Sequence, residues 1–159
     1  MSGIVGSEGS HSGVIGLESN PNQPWVHCLG DGGTSTLSNS PVKITAWEVN
    51  KDRGSNFSNG VFTAPITGAY LLTFRSYVYD LTANDMVYCK ITTSNRLYYQ
   101  RAMQTAEYGA HPATEVVACE VMDMDANDTV EVGMYNNNAA RGTQYESGQF
   151  MTMNVILLS

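Results

Sequence analysis

Basic residues are scarce in this 159-residue chain, which has 8 Lys and Arg against 15 Asp and Glu. The formal net charge is therefore −7 at pH 7, and charged residues of both signs make up only 14% of the sequence. The excess of acid lies in residues 102–159, which hold eight acids and one base. Because a nucleic-acid-binding surface needs clustered cations, no nucleic-acid partner is expected.

Long apolar runs and paired cysteines are also missing. No run of about 18 apolar residues occurs, so no membrane span is predicted. Three cysteines are too few and too scattered for a disulfide framework, and Cys89 and Cys119 lie in apolar runs that predict buried thiols. The first 16 residues lack the basic stretch and apolar core of a secretory signal, so no signal peptide is expected.

Motifs of catalysis and metal binding are absent or incomplete. No nucleophile elbow, phosphate loop or zinc-protease motif occurs, so no enzyme, catalytic residue or cofactor is predicted. Asp123, Asp125 and Asn127 begin like a calcium loop, but Asp128 and Met134 stand where that loop needs Gly and Glu. The pattern favours an acidic turn, and Asp123, Asp125 and Asp128 are left as weak calcium candidates.

Short β-rich segments fill the chain from residue 42 onward. Several alternate apolar and polar residues, and Asn-, Asp- and Gly-rich turns separate them, with no helical period of 3.6. Many short strands with close turns predict an all-β sandwich or jelly roll over residues 41–159. The predicted strands are Val42–Val49, Ala69–Tyr79, Met86–Thr92, Leu97–Arg101, Thr114–Met122, Thr129–Tyr135 and Phe150–Leu158.

Some predicted strands are apolar on both faces. In the last strand, Met151, Met153 and Val155 share one face, while Phe150 and Ile156 lie on the other. A strand that is apolar on both faces must be covered on both, and a single sandwich covers only one. The pattern therefore predicts a homo-oligomer.

Residues 1–40 are rich in Gly, Ser and Asn and contain a short repeat. Each copy has two β-branched residues between glycines, and such a unit can add as a strand to another sheet. These residues therefore predict an extended attachment arm, with a flexible terminus and chance similarity as the alternative. The repeat residues are Gly3, Ile4, Val5 and Gly6, then Gly13, Val14, Ile15 and Gly16.

The stretch from residue 62 to residue 74 resembles the signature of the C1q and tumour-necrosis-factor-like globular head. That signature is an aromatic, five residues, Gly, any, Tyr, any, Phe, any, aromatic. Phe62, Gly68, Tyr70 and Phe74 match it, and Leu72 stands where Phe is usual. The turn before Val130 and the closing strand are similar to the same family, so the resemblance covers about residues 45–159. It implies a ten-stranded jelly roll that forms a tight homotrimer.

An apolar arm ahead of a jelly-roll trimer resembles phage-encoded virion proteins. This implies a structural capsid decoration or cement protein on the outer surface of the particle, held to a major capsid or tail protein by its arm. The alternatives are a tail or fibre appendage and a C1q-like receptor- or glycan-binding module. For the latter, the polar loop Tyr135–Gly148 offers Arg141 and Tyr145 as ligand residues for a host surface glycan.

Overall fold

The computed structural model of the chain describes residues 23–32, 34–81, 85–103, 113–137 and 144–158. These ranges contain twelve β-strands and no helix, hence none long and apolar enough to cross a membrane. The strands are β1 (Trp25–Gly30), β2 (Thr34–Thr36), β3 (Val42–Lys43), β4 (Trp47–Arg53), β5 (Phe57–Ser58), β6 (Val61–Thr63), β7 (Gly68–Tyr79), β8 (Met86–Thr93), β9 (Leu97–Met103), β10 (Thr114–Met124), β11 (Thr129–Asn136) and β12 (Gln144–Leu157).

The strands form two antiparallel sheets. Sheet 1 has the order β10-β7-β12-β1-β4, with β2 paired to β12. Sheet 2 has the order β5-β6-β11-β8-β9, with β3 paired to β11. Contacts between β9 and β10 join the sheets along one side. The predicted all-β jelly-roll sandwich is confirmed.

The core lies between the sheets and is built from alternate residues of the long strands. Tyr70, Leu72 and Phe74 of β7 are fully or almost fully buried. Phe62 packs on Tyr70 with ring centroids 5.6 Å apart, and Trp47 meets Phe74 edge-on at 6.3 Å. The residues that carry the family signature therefore fill the space between the two sheets, where aromatic packing contributes most.

The start of the jelly roll differs from the predicted boundary at residue 40. Strand β1 pairs with β12 on one side and β4 on the other, so residues 25–30 lie inside sheet 1. Val26 and Cys28 are fully buried there. The boundary is wrong because β1 has only six residues and follows a Gly-rich segment, so the local sequence does not distinguish it from the predicted arm. The repeat residues of the predicted arm, 3–6 and 13–16, lie outside the described residues.

Strand β10 is oriented so that Cys119, which was expected to be buried, lies on its outer face. Val116, Ala118 and Met122 point into the core, while Val117, Cys119 and Val121 point outward and are exposed. The prediction of a buried Cys119 is wrong because both alternating sets of this strand are largely apolar. Hydrophobic alternation therefore did not fix its orientation.

The predicted ligand loop from residue 135 to residue 148 is partly strand. β11 continues to Asn136, and β12 begins at Gln144. Tyr145 pairs with Ser35 of β2 and Val78 of β7, so its backbone is held on both sides. The prediction that Tyr145 lies in a loop is wrong, because two neighbouring strands supply pairing partners that the local sequence does not reveal. Arg141 lies outside the described residues.

A tight turn joins β5 to β6 at Asn59 and Gly60. Both residues have positive φ, 49° and 75°, as a two-residue hairpin turn that follows sheet twist requires. Gly60 also lies against the backbone carbonyl of Ile44, where an added Cβ would overlap the oxygen. The turn thus fixes the position of a buried segment, since Ile44 is 1% exposed and its N–H donates to the Val132 carbonyl.

Candidate interaction surface

The outer face of sheet 1 carries a line of apolar side chains that crosses four adjacent strands. Val121 of β10 pairs with Leu71 of β7, which pairs with Ile156 of β12, which pairs with Trp25 of β1. These four residues are named the apolar row. Arg53 of β4 is the next residue across the sheet. Directly opposed residues on one face are in side-chain contact range, so the row is continuous.

Much of this face is exposed in the single chain. Val117 and Val121 are 57% and 56% exposed, and Phe150 and Tyr77 are 44% and 38% exposed. Singly scattered apolar residues are normal on a protein surface, but these belong to one sheet face. Contiguous exposed apolar surface marks a site of association.

An aromatic cluster extends the apolar surface along the strands. Tyr77 stacks on Tyr79 with ring centroids 6.4 Å apart and contacts the Phe150 ring at 6.0 Å. Nearby, Arg75 and Glu115 form a salt bridge of 3.2 Å whose side chains are about half exposed. Exposed ion pairs provide little stabilisation, so the aromatic side chains are the main source of binding energy at this end of the face.

Polar side chains separate the apolar row from the aromatic cluster. Asn154 donates through Nδ2 to Thr73 Oγ1 at 3.1 Å. Cys119 of β10 pairs with Thr73, and His27 of β1 pairs with Asn154. Lys51 of β4 pairs with His27, so these residues form one line across the sheet. The face therefore combines apolar area with a narrow polar band, as protein interfaces commonly do.

A pocket of about 290 Å³ lies where the apolar row meets β4. Trp25, Lys51, Asp52 and Arg53 line it. The Arg53 guanidinium lies 5.9 Å from the centroid of the Trp25 ring, which is within cation–π range. Trp25 Nε1 is buried and has no hydrogen-bond partner among the described residues. The pocket thus has cationic side chains and an aromatic ring in its wall.

The carboxylate of Asp52, beside this pocket, is hydrogen-bonded to the backbone. Its two oxygens accept hydrogen bonds from the N–H groups of Asn56 and Phe57, at 2.9 and 3.0 Å. These bonds fix the position of the carboxylate, which keeps its charge. Lys51 and Arg53 together carry one more charge than Asp52, so the pocket has a positive character although the chain as a whole is negative.

The weak calcium candidates lie in the turn between β10 and β11. Asp128 Oδ2 accepts hydrogen bonds from the Asp125 N–H at 2.8 Å and from Asn95 Nδ2 at 2.9 Å. Asp123 and Asp125 line the same shallow pocket of about 450 Å³. Across the ranges that the structure describes, no three His, Cys, Asp or Glu side chains are grouped to hold a metal ion. The hydrogen bonds give Asp128 a turn-forming role.

The three cysteines differ sharply in reactivity. Burial raises the pKa of Cys28 to about 12, with the nearby Asp52 carboxylate adding to the effect, and burial alone raises the pKa of Cys89 to about 12. Both thiols are therefore protonated and unreactive near neutral pH, because the thiolate is the nucleophile. Cys119 is free and exposed on the outer face of sheet 1.

Sequence reasoning found part of this surface and missed the rest. The two-faced pattern of β12 pointed to Phe150 and Ile156. It missed Val121, because β10 was read with the wrong face inward. It also missed Trp25 as a member of the row, because β1 was assigned to the arm. The even distribution of apolar residues on both faces of β10 was the available signal.

Solved structures share this architecture. No protein-family model and no curated protein matches the chain. The globular domain of zebrafish complement 1qA is 15% identical, with a TM-score of 0.61, over 86% of this chain and 98% of that one. Murine APRIL at pH 8.0 is 15% identical, with a TM-score of 0.60, over 86% and 99%. Eiger TNF from S. frugiperda is 13% identical, with a TM-score of 0.57, over 87% and 94%.

These likenesses establish the class of fold. The chain is a jelly roll of the kind found in C1q and TNF globular heads. At 13–15% identity the comparison concerns the fold alone, so the function must be argued from the surface of this chain.

Proposed function

We propose that the protein is a non-enzymatic structural subunit that assembles into a homotrimer through the outer face of sheet 1. The observation that carries this proposal is the apolar row, together with Val117 and Phe150, which are exposed on the same face. Burial of a valine or phenylalanine side chain stabilises an assembly by about 1.5–3 kcal/mol. Several such side chains on one face supply a substantial driving force for association, while the resemblance to trimeric C1q-like heads supports the number three.

The biological setting of this trimer is proposed to be a virus particle. The subunit would decorate the outer surface of a phage capsid, anchored to a capsid protein by the Gly-bracketed pairs at residues 3–6 and 13–16. Three arms on one trimer would raise the effective concentration of each arm for its site and so strengthen attachment. The net charge of −7 per chain supports an external position, because it disfavours contact with packaged DNA.

Assembly is tested by mass and by the reactivity of Cys119. Light scattering is expected to give three times the chain mass of 17.3 kDa. A thiol reagent at pH 8 is expected to label Cys119 rapidly in diluted, dissociated protein and slowly in the assembled form. The labelling reports this one position, because burial keeps Cys28 and Cys89 protonated.

The control for labelling is Cys119→Ser, which is expected to remove the reaction in both states. A monomer of 17.3 kDa at all accessible concentrations would overturn the proposed assembly. A trimer in which Cys119 labels as fast as in the monomer would show that a different face is used.

Attachment is tested by deletion of residues 2–16. The shortened chain is expected to form the same trimer, because sheet 1 begins at Trp25, but to lose its place on purified particles. Immunogold electron microscopy and sedimentation with particles measure this. Full retention on particles by the shortened trimer would contradict the role of the arm.

A further inference from the structure

Opposite edges of the outer face of sheet 1 differ in charge near the apolar row. At the β10 edge, Asp123 follows Val121 on the same face and is exposed. At the β4 edge, Lys51 is exposed, and the half-buried Arg53 lies beside Trp25. On the same face, one edge therefore carries Asp123 beside Val121. The other edge carries Lys51 and Arg53 beside Trp25.

This arrangement suits the head-to-tail contacts of the proposed homotrimer. In a closed ring of three copies every contact joins two different patches, and here the complementary patches lie on different edges of one molecule. A rotation about an axis parallel to the strands leaves the height of each residue along the strand direction unchanged. The β10 edge of one copy then meets the β4 edge of the next at the level of the apolar row, and three such contacts close a ring.

The pocket at the β4 edge has the chemistry of a carboxylate site. Lys51 and Arg53 supply two positive charges against the one negative charge of Asp52, whose oxygens are already held by backbone N–H groups. The Trp25 ring forms an aromatic wall beside the Arg53 guanidinium, so the pocket suits an acidic side chain that lies next to an apolar one on the same face.

We propose that this pocket receives the Asp123 carboxylate of the neighbouring copy, while the neighbour's Val121 packs against the Trp25 ring. The inference rests on the proposed self-association and specifies its partner and its geometry. Each copy gives an acid at one edge and accepts one at the other. The site is incomplete in a single chain.

Charge reversal tests the pairing in the full-length protein. Arg53→Glu and Asp123→Lys are each expected to raise the apparent dissociation constant of the assembly roughly 10- to 100-fold at low salt, since like charges then meet at the interface. The double variant is expected to recover most of the affinity. Sedimentation equilibrium at two ionic strengths measures this, and the single-variant effect is expected to shrink in high salt.

Two further variants keep the outcome clear. Lys51 lines the same pocket and is exposed. The variant Lys51→Glu therefore tests the charge of the pocket without disturbing the packing of Arg53 on Trp25. Lys90→Glu makes the same charge change on β8 of sheet 2 and is expected to leave assembly unchanged. Thermal unfolding of each variant checks that the fold persists.

The outcomes separate this inference from the proposed function. If the trimer forms and the reversals at Lys51, Arg53 and Asp123 leave its dissociation constant unchanged, the pairing is wrong and the assembly stands. If both edges matter but the double variant stays as weak as the singles, the two groups do not meet. If the unaltered chain is a monomer, the proposed assembly itself fails.

Discussion

Replacement of Val117 and Val121 by glutamate is expected to convert the assembled protein into folded monomers. Both side chains point away from the core and are more than half exposed, so the substitutions leave the interior intact. Because each valine is already partly buried in the single chain, its substitution removes about 1 kcal/mol of burial from the assembly and also places a carboxylate in an apolar contact. Because 1.4 kcal/mol is a factor of ten, the apparent dissociation constant is expected to rise by roughly 100-fold or more.

Light scattering across a concentration series measures the change, and circular dichroism checks the fold. Val42→Glu supplies a control for the single substitutions, because Val42 is 42% exposed and lies on β3 of sheet 2. Cys119, between the two valines, is expected to become reactive in the double variant. A double variant that still assembles, and in which Cys119 labels as fast as in dissociated protein, would exclude this face as the interface.

The second large effect is expected at Gly60, where alanine should destabilise the fold. Positive φ costs an alanine about 1–2 kcal/mol. The added Cβ would also overlap the Ile44 carbonyl oxygen, and relief by backbone movement costs about 1–3 kcal/mol more. The free energy of unfolding is therefore expected to fall by about 3 kcal/mol or more, which corresponds to roughly 6–12 °C in Tm for a chain of this size.

Gly32→Ala separates the two contributions at Gly60. Gly32 also has positive φ, 89°, but a Cβ there would have no heavy atom within 4 Å. It is expected to cost only the backbone strain of about 1–2 kcal/mol. Urea unfolding of both variants at equal protein concentration gives the comparison. Equal losses in the two variants would show that the Ile44 carbonyl imposes no constraint.

The sequence predicted the strands whose two faces differ. In β7 the inward positions of Tyr70, Leu72 and Phe74 are large and apolar, while Thr73 and Arg75 point outward, so alternation alone gave the correct face. Alternation failed in β10, where Val116 and Val117 are equally suited to the core. There the partner strands decide which set is buried, and that information is not local.

Short strands were the second source of error. Trp25–Gly30 has only six residues and follows a Gly-rich segment, so it carried little signal as an internal strand. Its pairing partners β4 and β12 lie more than 15 and more than 110 residues away in sequence. The pocket at Trp25, Lys51 and Arg53 was missed for the same reason, because it exists only once β1 and β4 are side by side.

The pairing of β1 with β12 has a consequence for how the chain folds. Val26 pairs with Val155, and the Leu157 N–H donates to the Pro24 carbonyl, so almost the whole sequence separates these partners. Sheet 1 therefore cannot close on the ribosome until the last strand has emerged. Contacts of such long sequence separation slow folding. During synthesis β1 and β4 lack the neighbouring strand β12, so the residues of that strand complete sheet 1.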